Sequence, residues 1–389
     1  MGLSMDLIHG TTTLHARYLF LREVGHGISS TVLLALDTTT KSHVALKVLF
    51  PELRVAGDLE RALLASVAER DPDHHVPIVA CLDAFTYMGC LVLVLELLGP
   101  PIFARPITID EASLMDAARQ PNACHAAPHM DMSSLRCVVA QTCAALSVLH
   151  DMNVIHADLK PENILWEIDS RNRVKLVDYG NAIDSTAVQI VPPDHDFEIQ
   201  TLLYRAPEVA MGVSVSCAID LWSLGCIVLE SVVGRPLFTA STNARLLAQM
   251  QQLTPRPLDE VRSIPTFLSF LTETQVLPCG LHWKAFRQQP TLPPISLDAI
   301  CDAYAVDAID GHLRSFLKAL LEPHPSQRLT AKQAFFHPFL GAMFPFGHVF
   351  AAPAPRVPTE KRKQSLLRDA LQMIESSHKL PRLKKEPRP

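Results

Sequence analysis

The sequence changes its periodicity once, at Gly99-Pro100-Pro101, and this break separates two stretches with different secondary-structure signals. Before it the runs are short and β-like. Thr31–Leu36 and Val44–Leu49 are strand-length and rich in Val and Leu, with a polar turn at 37–42 between them, and Leu91–Leu95 reads as a buried strand. One exception stands out: Leu59, Leu63, Leu64 and Val67 recur at helical spacing and predict a helix over 59–68. After the break the spacing is helical over 135–150, 219–233, 312–321 and 330–336. The 219–233 segment carries so few charges that it is expected to be buried on all sides. The expected class is α+β: a mainly β part with one key helix, then a mainly α part. A chain of 389 residues that is 48% apolar has material for two such cores.

The expected boundaries are a loose lead-in at 1–17, the β part at 18–98, the helical part at 99–345 and a basic tail at 346–389. Irregular composition marks 105–132, 255–294 and 353–389. The net charge of −5 is uneven: ten basic and four acidic residues fall in 356–389, leaving 25 basic and 36 acidic residues elsewhere. An acidic body argues against direct nucleic-acid binding. No apolar run reaches the roughly 18 residues of a membrane helix, so no membrane partner is expected. The nine cysteines form no C-x-x-C pair, which points to free thiols in a cytoplasmic or nuclear protein rather than to zinc or disulfides. Lys361-Arg362-Lys363 and Arg382-Leu383-Lys384-Lys385 are candidates for a nuclear address, with a solvated tail as the plainer alternative. Leu366, Leu367, Ala370, Leu371 and Ile374 form a short apolar stripe that would dock on the chain's own surface or on a partner.

The chemistry concentrates in a few motifs. His156-Ala157-Asp158-Leu159-Lys160-Pro161-Glu162-Asn163 follows a helix and precedes a strand-like run at 174–177. Asp178-Tyr179-Gly180 and then Ala206-Pro207-Glu208 come next, while Gly25-His26-Gly27 and Val44-Ala45-Leu46-Lys47 lie upstream. In order and spacing these resemble the glycine-rich loop, the lysine strand, the catalytic loop, the DFG triplet and the APE motif of eukaryotic protein kinases, over about residues 18 to 345. The resemblance implies a bilobal kinase fold, ATP and Mg²⁺ as cofactors, and transfer of the ATP γ-phosphate to serine or threonine hydroxyls of protein substrates.

Phosphoryl transfer needs ATP held, charge neutralised and a hydroxyl aligned. Gly25 and Gly27 let backbone approach phosphate. Lys47 would grip the α/β-phosphates and needs a carboxylate to orient it, for which Glu60 is preferred over Glu52 and Glu69 because it lies on the predicted helix. The resemblance makes Asp158 the residue that takes the hydroxyl proton. Lys160 then stabilises the transferring group, Thr201 joins the catalytic residues, and Asn163 and Asp178 are oxygen ligands for Mg²⁺. It places Val32, Ala45 and Leu165 around adenine, Leu95 as gatekeeper, and Glu96 and Leu98 in the hinge. Asp220 and Arg328 match structural positions, with Glu208 and Arg328 expected as a buried ion pair.

Tyr204-Arg205-Ala206-Pro207-Glu208 and Ile219-Asp220-Leu221-Trp222-Ser223, with a long stretch at about 239–310, resemble the CMGC group, and His156-Ala157-Asp158 resembles its DYRK and homeodomain-interacting branch. The insert and the tail are the expected places for a regulatory partner. The chain departs from the pattern where Ser30 replaces the third loop glycine, Tyr179 the usual Phe, and Ala157 the arginine that receives an activation-loop phosphate. Glu198 stands before Ile199-Gln200 where that branch has tyrosine, and is expected to supply a fixed negative charge toward Arg205. Ser30 and Tyr179 motivate a rival reading, a non-catalytic scaffold that keeps the fold.

Overall fold

The computed structural model describes residues 11–27, 29–103, 129–168, 170, 172–186, 199–213, 215–253, 295–303 and 309–341. The described chain divides into two units, one of 11–75 and Val79–Leu97, the other of Val76–Ile78 and 98–341.

The first unit is an antiparallel sheet of six strands: β1 (Thr13–Leu14), β2 (Tyr18–His26), β3 (Ser30–Asp37), β4 (His43–Leu49), β5 (Cys81–Tyr87) and β6 (Cys90–Glu96), in the order β1-β2-β3-β4-β6-β5. Side chains alternate between the two faces of a strand, and here the alternation sorts them cleanly. Tyr18, Phe20, Leu33, Ala35, Val44, Leu46, Val48, Val92 and Val94 fill the core face. The register pairs Gly25 with Val32, Val32 with Lys47, Lys47 with Leu93 and Ala45 with Leu95, so Val32, Ala45, Lys47 and Leu95 share the other face.

Helix α1 (Arg54–Arg70) buries Gly57, Glu60, Leu63, Leu64 and Val67, spaced three and four apart. Gly57 is where the helix comes closest to the sheet: a Cβ there would lie 2.8 Å from Leu49 Cδ2 and 2.9 Å from Leu91 Cδ2. The missing side chain lets the next turn carry Glu60 down onto β4.

The lead-in expected at 1–17 begins to belong to the sheet by Thr13, because Leu14 is fully buried and β1 pairs with Tyr18 and Leu19. Arg17 fixes this edge by donating to both oxygens of Asp37 (2.9 and 2.7 Å), and Tyr18 donates to Asp83 (2.8 Å). The Arg17 guanidinium holds the Asp37 carboxyl well below the usual carboxylate range. Neither Arg17 nor Asp37 repeats at a regular spacing, so periodicity did not reveal them.

The second unit is mainly helical. Its helices include α2 (Met132–Asp151), α3 (Pro207–Ala210), α4 (Ala218–Val233), α5 (Asn243–Leu253), α6 (Leu297–Ala303), α7 (Gly311–Leu320) and α8 (Ala331–Phe335). Asp131 caps α2, accepting from the N–H groups of Ser133 and Ser134, and Thr330 with Gln333 forms a capping box on α8. Every residue of α4 from Ile219 to Val233 is buried, as its low charge predicts. α2 is long and apolar enough by composition to cross a membrane. Its buried face nonetheless contributes Leu135, Val139, Leu146 and Leu149 to the protein core. α5 and α6 fall within the stretch read as an insert, whose segment 254–294 lies outside the described residues, as do the basic tail with its stripe and lysine-arginine clusters. Two short antiparallel strand pairs also lie in the unit: Val154–Ile155 with Ile183–Asp184, and Ile164–Trp166 with Val174–Leu176. Among the described residues the cysteines are free.

Candidate active site

In the first unit, Lys47 and Glu60 meet. Lys47 Nζ lies 2.9 and 2.6 Å from the two carboxylate oxygens, with both side chains buried. Glu52 and Glu69 are exposed. A buried lysine is tolerable only with such a partner, and the pairing fixes the ammonium on the sheet face that also carries Val32, Ala45 and Leu95. At the hairpin the Gly27 N–H donates to the Ser30 carbonyl (2.9 Å), and Ser30 is buried in register with Leu49, so this turn closes without a third glycine. The side chain of Glu96, expected in the hinge, accepts from the Ala80 N–H (2.7 Å), a structural task within the sheet unit.

In the second unit, Asp158, Lys160, Asn163 and Thr201 converge. Asp158 Oδ2 accepts from Lys160 Nζ (2.7 Å), and Oδ1 accepts from both the Thr201 hydroxyl (2.7 Å) and its N–H (3.1 Å). Asn163 Nδ2 donates to the Asp158 carbonyl (2.8 Å), which turns its amide oxygen the other way. Leu165 sits half-buried on the strand after Asn163, paired with Pro101, and Leu98 is half-buried at the start of this unit.

The loop carrying Asp158 is held from beneath. Asp220, fully buried on α4, accepts from the N–H groups of His156 (2.9 Å) and Ala157 (3.0 Å) and from His150 Nε2 (2.9 Å). Ala157 has φ +62°, Asp178 φ +65° and Gln200 φ +60°, so all three occupy the left-handed region that side chains disfavour. Ala157 therefore serves as a backbone junction: its N–H is held by Asp220 and its carbonyl accepts from the Gln200 N–H (2.8 Å). Its methyl group offers nothing to a phosphate.

Tyr179 is buried, packs its ring against His156 (centroids 5.1 Å apart), and donates its hydroxyl to the Leu176 carbonyl (3.2 Å). The extra oxygen relative to Phe is satisfied, so neither Tyr179 nor Ser30 disturbs the fold. Glu198 lies outside the described residues. Arg205, the group it was expected to face, donates to the Gln200 carbonyl and to Asn243 Oδ1 (2.7 Å). Glu208 and Arg328 form a bidentate pair (2.7 and 3.1 Å) with both side chains fully buried.

Comparison with known proteins places these motifs in one family. The protein kinase domain matches residues 18–340. The chain belongs to the protein kinase family. It is 28% identical over 345 residues to dual specificity tyrosine-phosphorylation-regulated kinase 3 of Rattus norvegicus, covering 85% of this chain and 55% of that protein. It is 29% identical over 372 residues to serine/threonine-protein kinase Doa of Drosophila melanogaster, covering 88% and 41%. With serine/threonine-protein kinase AFC1 of Arabidopsis thaliana it shares 31% identity over 361 residues, covering 84% and 71%. The kinase is thus of the CMGC group and DYRK-like, and it spans about half the length of several of these relatives.

Two features of the kinase site escaped sequence reading. Gln200 uses every polar group it has, and Tyr204 donates its hydroxyl to Glu230 (2.8 Å) inside the core. A glutamine beside Thr201 gives no sequence signal of its own, because its partners on α4 are close only in the folded chain.

Proposed function

We propose that this chain is an ATP-dependent protein serine/threonine kinase. The observation that carries the reading is the convergence of Lys160 and Thr201 on the carboxylate of Asp158. A carboxylate held this way can accept the proton of an incoming hydroxyl, while Lys160 offsets negative charge on the transferring phosphoryl group. Lys47, oriented by Glu60, is assigned to the ATP phosphates. Asn163 and Asp178 offer one amide and one carboxylate oxygen, hard donors of the kind Mg²⁺ takes alongside phosphate and water. Mg²⁺ bound there would neutralise charge on the phosphate oxygens; Asn163's own part is to keep its oxygen turned out by donating its N–H₂ to the Asp158 carbonyl.

The geometry also favours proline after the target residue. The Gln200 carbonyl, next to Thr201, is turned into Arg205 Nη2 (2.8 Å) and Nε (3.2 Å). It is spent, so an N–H on the following substrate residue would lose water without gaining that acceptor. Proline has no N–H to strand.

The test is transfer of labelled γ-phosphate from Mg-ATP to two peptides that differ only in Pro or Ala after the serine. The Pro peptide is expected to show kcat/KM about tenfold or more above the Ala peptide, the cost of one unsatisfied donor. Equal rates would remove the proline preference; no transfer to either would remove the kinase assignment. Lys47→Met keeps the helix and sheet but leaves Glu60 without its lysine. It is expected to cut kcat on the order of a thousandfold. Steady-state kinetics beside a circular dichroism spectrum checks this, and near-normal turnover would reject the assigned role of Lys47.

A further inference from the structure

The second unit contains a cavity of about 370 Å³, lined by none of Asp158, Lys160, Asn163 and Thr201. It lies where the last turn of α2, the first turn of α4 and the chain entering α8 meet. Ala218, Leu221, Leu329 and Ala331 give it apolar walls. Ser147 and His150, one turn apart on the same face of α2, add polar groups. This size, with mainly apolar walls and a few polar groups, is that of a small-molecule site.

Among the described residues, the half-buried Ser147 hydroxyl and His150 Nδ1 have no hydrogen-bond partner. His150 gives its Nε2 hydrogen to Asp220 (2.9 Å), which leaves Nδ1 as a lone-pair acceptor. An occupant therefore needs a hydrogen-bond donor. It also needs to be neutral, because each charged side chain lining the cavity is already matched. Arg328 is spent on Glu208, Lys332 on Asp151 (2.8 Å) and His150 on Asp220. The Cys217 thiol in the wall adds no charge, since burial pushes its pKa up to about 11.

The cavity wall also reaches the support of the catalytic loop. The Asp220 oxygen that accepts from His150 accepts from the His156 N–H as well (2.9 Å), and the other oxygen accepts from the Ala157 N–H (3.0 Å). A molecule that binds with His150 turned to Asp220 favours that arrangement over any in which the loop lets go, because binding and conformation are linked reciprocally. We propose that this cavity is a regulatory site for a small neutral molecule that carries an aromatic ring and a hydroxyl, and that its occupancy steadies the catalytic loop. The ring lies among the apolar walls, and the hydroxyl reaches Ser147 and His150. A rigid ring loses little conformational freedom on entering.

The probe is 2-naphthol, titrated by calorimetry into the full-length chain with Mg²⁺ and a non-hydrolysable ATP analogue in excess, so that the nucleotide slot is filled. The parent is expected to bind with a Kd on the order of 100 µM. Ser147→Ala is expected to bind about fivefold more weakly, for one lost hydrogen bond. Ser147→Phe puts its own ring into the cavity and is expected to show no binding. With 2-naphthol at about five times its Kd, hydrogen exchange of the His156 and Ala157 amides is expected to slow about sixfold in the parent, the mass-action ratio for binding only to the held loop, and to stay unchanged in Ser147→Phe. No binding to the parent, equal binding to Ser147→Phe, or binding that leaves those amides exchanging at the same rate would overturn the proposal. If Ser147→Phe does not fold, Ser147→Ala decides: an affinity equal to the parent's rejects the site. None of these readouts requires phosphoryl transfer, so they are separable from the kinase assignment.

Discussion

Asp158→Asn is expected to lose about 10³-fold or more in kcat while folding normally. The carboxylate now serves two sides: one oxygen takes two hydrogen bonds from Thr201, the other takes the Lys160 ammonium. An amide has a single oxygen. If it faces Thr201, its N–H₂ is set against Lys160, donor against donor; if it faces Lys160, Thr201 loses its acceptor. In neither orientation is there a base for the hydroxyl proton. Lys160 is about a quarter exposed and can swing into water, so the fold should survive. Steady-state kinetics gives the check. kcat should collapse with KM for ATP little changed, because Asp158 is not assigned to the nucleotide. A variant with a tenth or more of parental kcat would show that Asp158 is not the proton acceptor.

The largest stability effect should come from Arg328→Met. Arg328 and Glu208 are fully buried, and Arg328 also donates to the carbonyls of Ala218 (2.8 Å), Glu322 (2.8 Å) and Pro323 (3.1 Å). Removing the guanidinium strands a carboxylate where water cannot reach it. The expected cost is about 3–5 kcal/mol, read as a lower urea midpoint. The double variant Glu208→Leu with Arg328→Met no longer buries a lone charge and is expected to recover part of that loss. A double variant as unstable as the sum of the two single ones would show that the pair is not coupled.

What the sequence revealed follows from what chemistry dictates locally. Lys47, Asp158, Lys160, Asn163 and Asp178 were picked out because the short motifs that carry them resemble, in order and spacing, those of protein kinases. Glu60 was preferred because it lies on the helix predicted after the lysine strand, and the structure pairs it with Lys47 on the face that also buries Leu63, Leu64 and Val67. α4 was legible because a helix buried on all sides must shed charge. Other parts depend on reach across the fold. β5 was not marked, because the bulge between Cys81 and Asp83 breaks its alternation and Leu82 points outward. Asp220 could be matched to a structural position, but its grip on the N–H groups of His156 and Ala157 spans more than sixty residues of chain. Gln200 resembles any polar loop residue until α4 is placed beside it.

Ala157, Asp178 and Gln200 each hold a backbone twist that costs about 1 kcal/mol. That tension is met once, when the protein matures, and is restrained by Asp220 at one end and the Gln200 amide at the other. A substrate arriving later need not spend its own affinity bending these loops into shape. The same economy makes them the first places to relax on warming, so catalytic competence should fade before the surrounding helices melt.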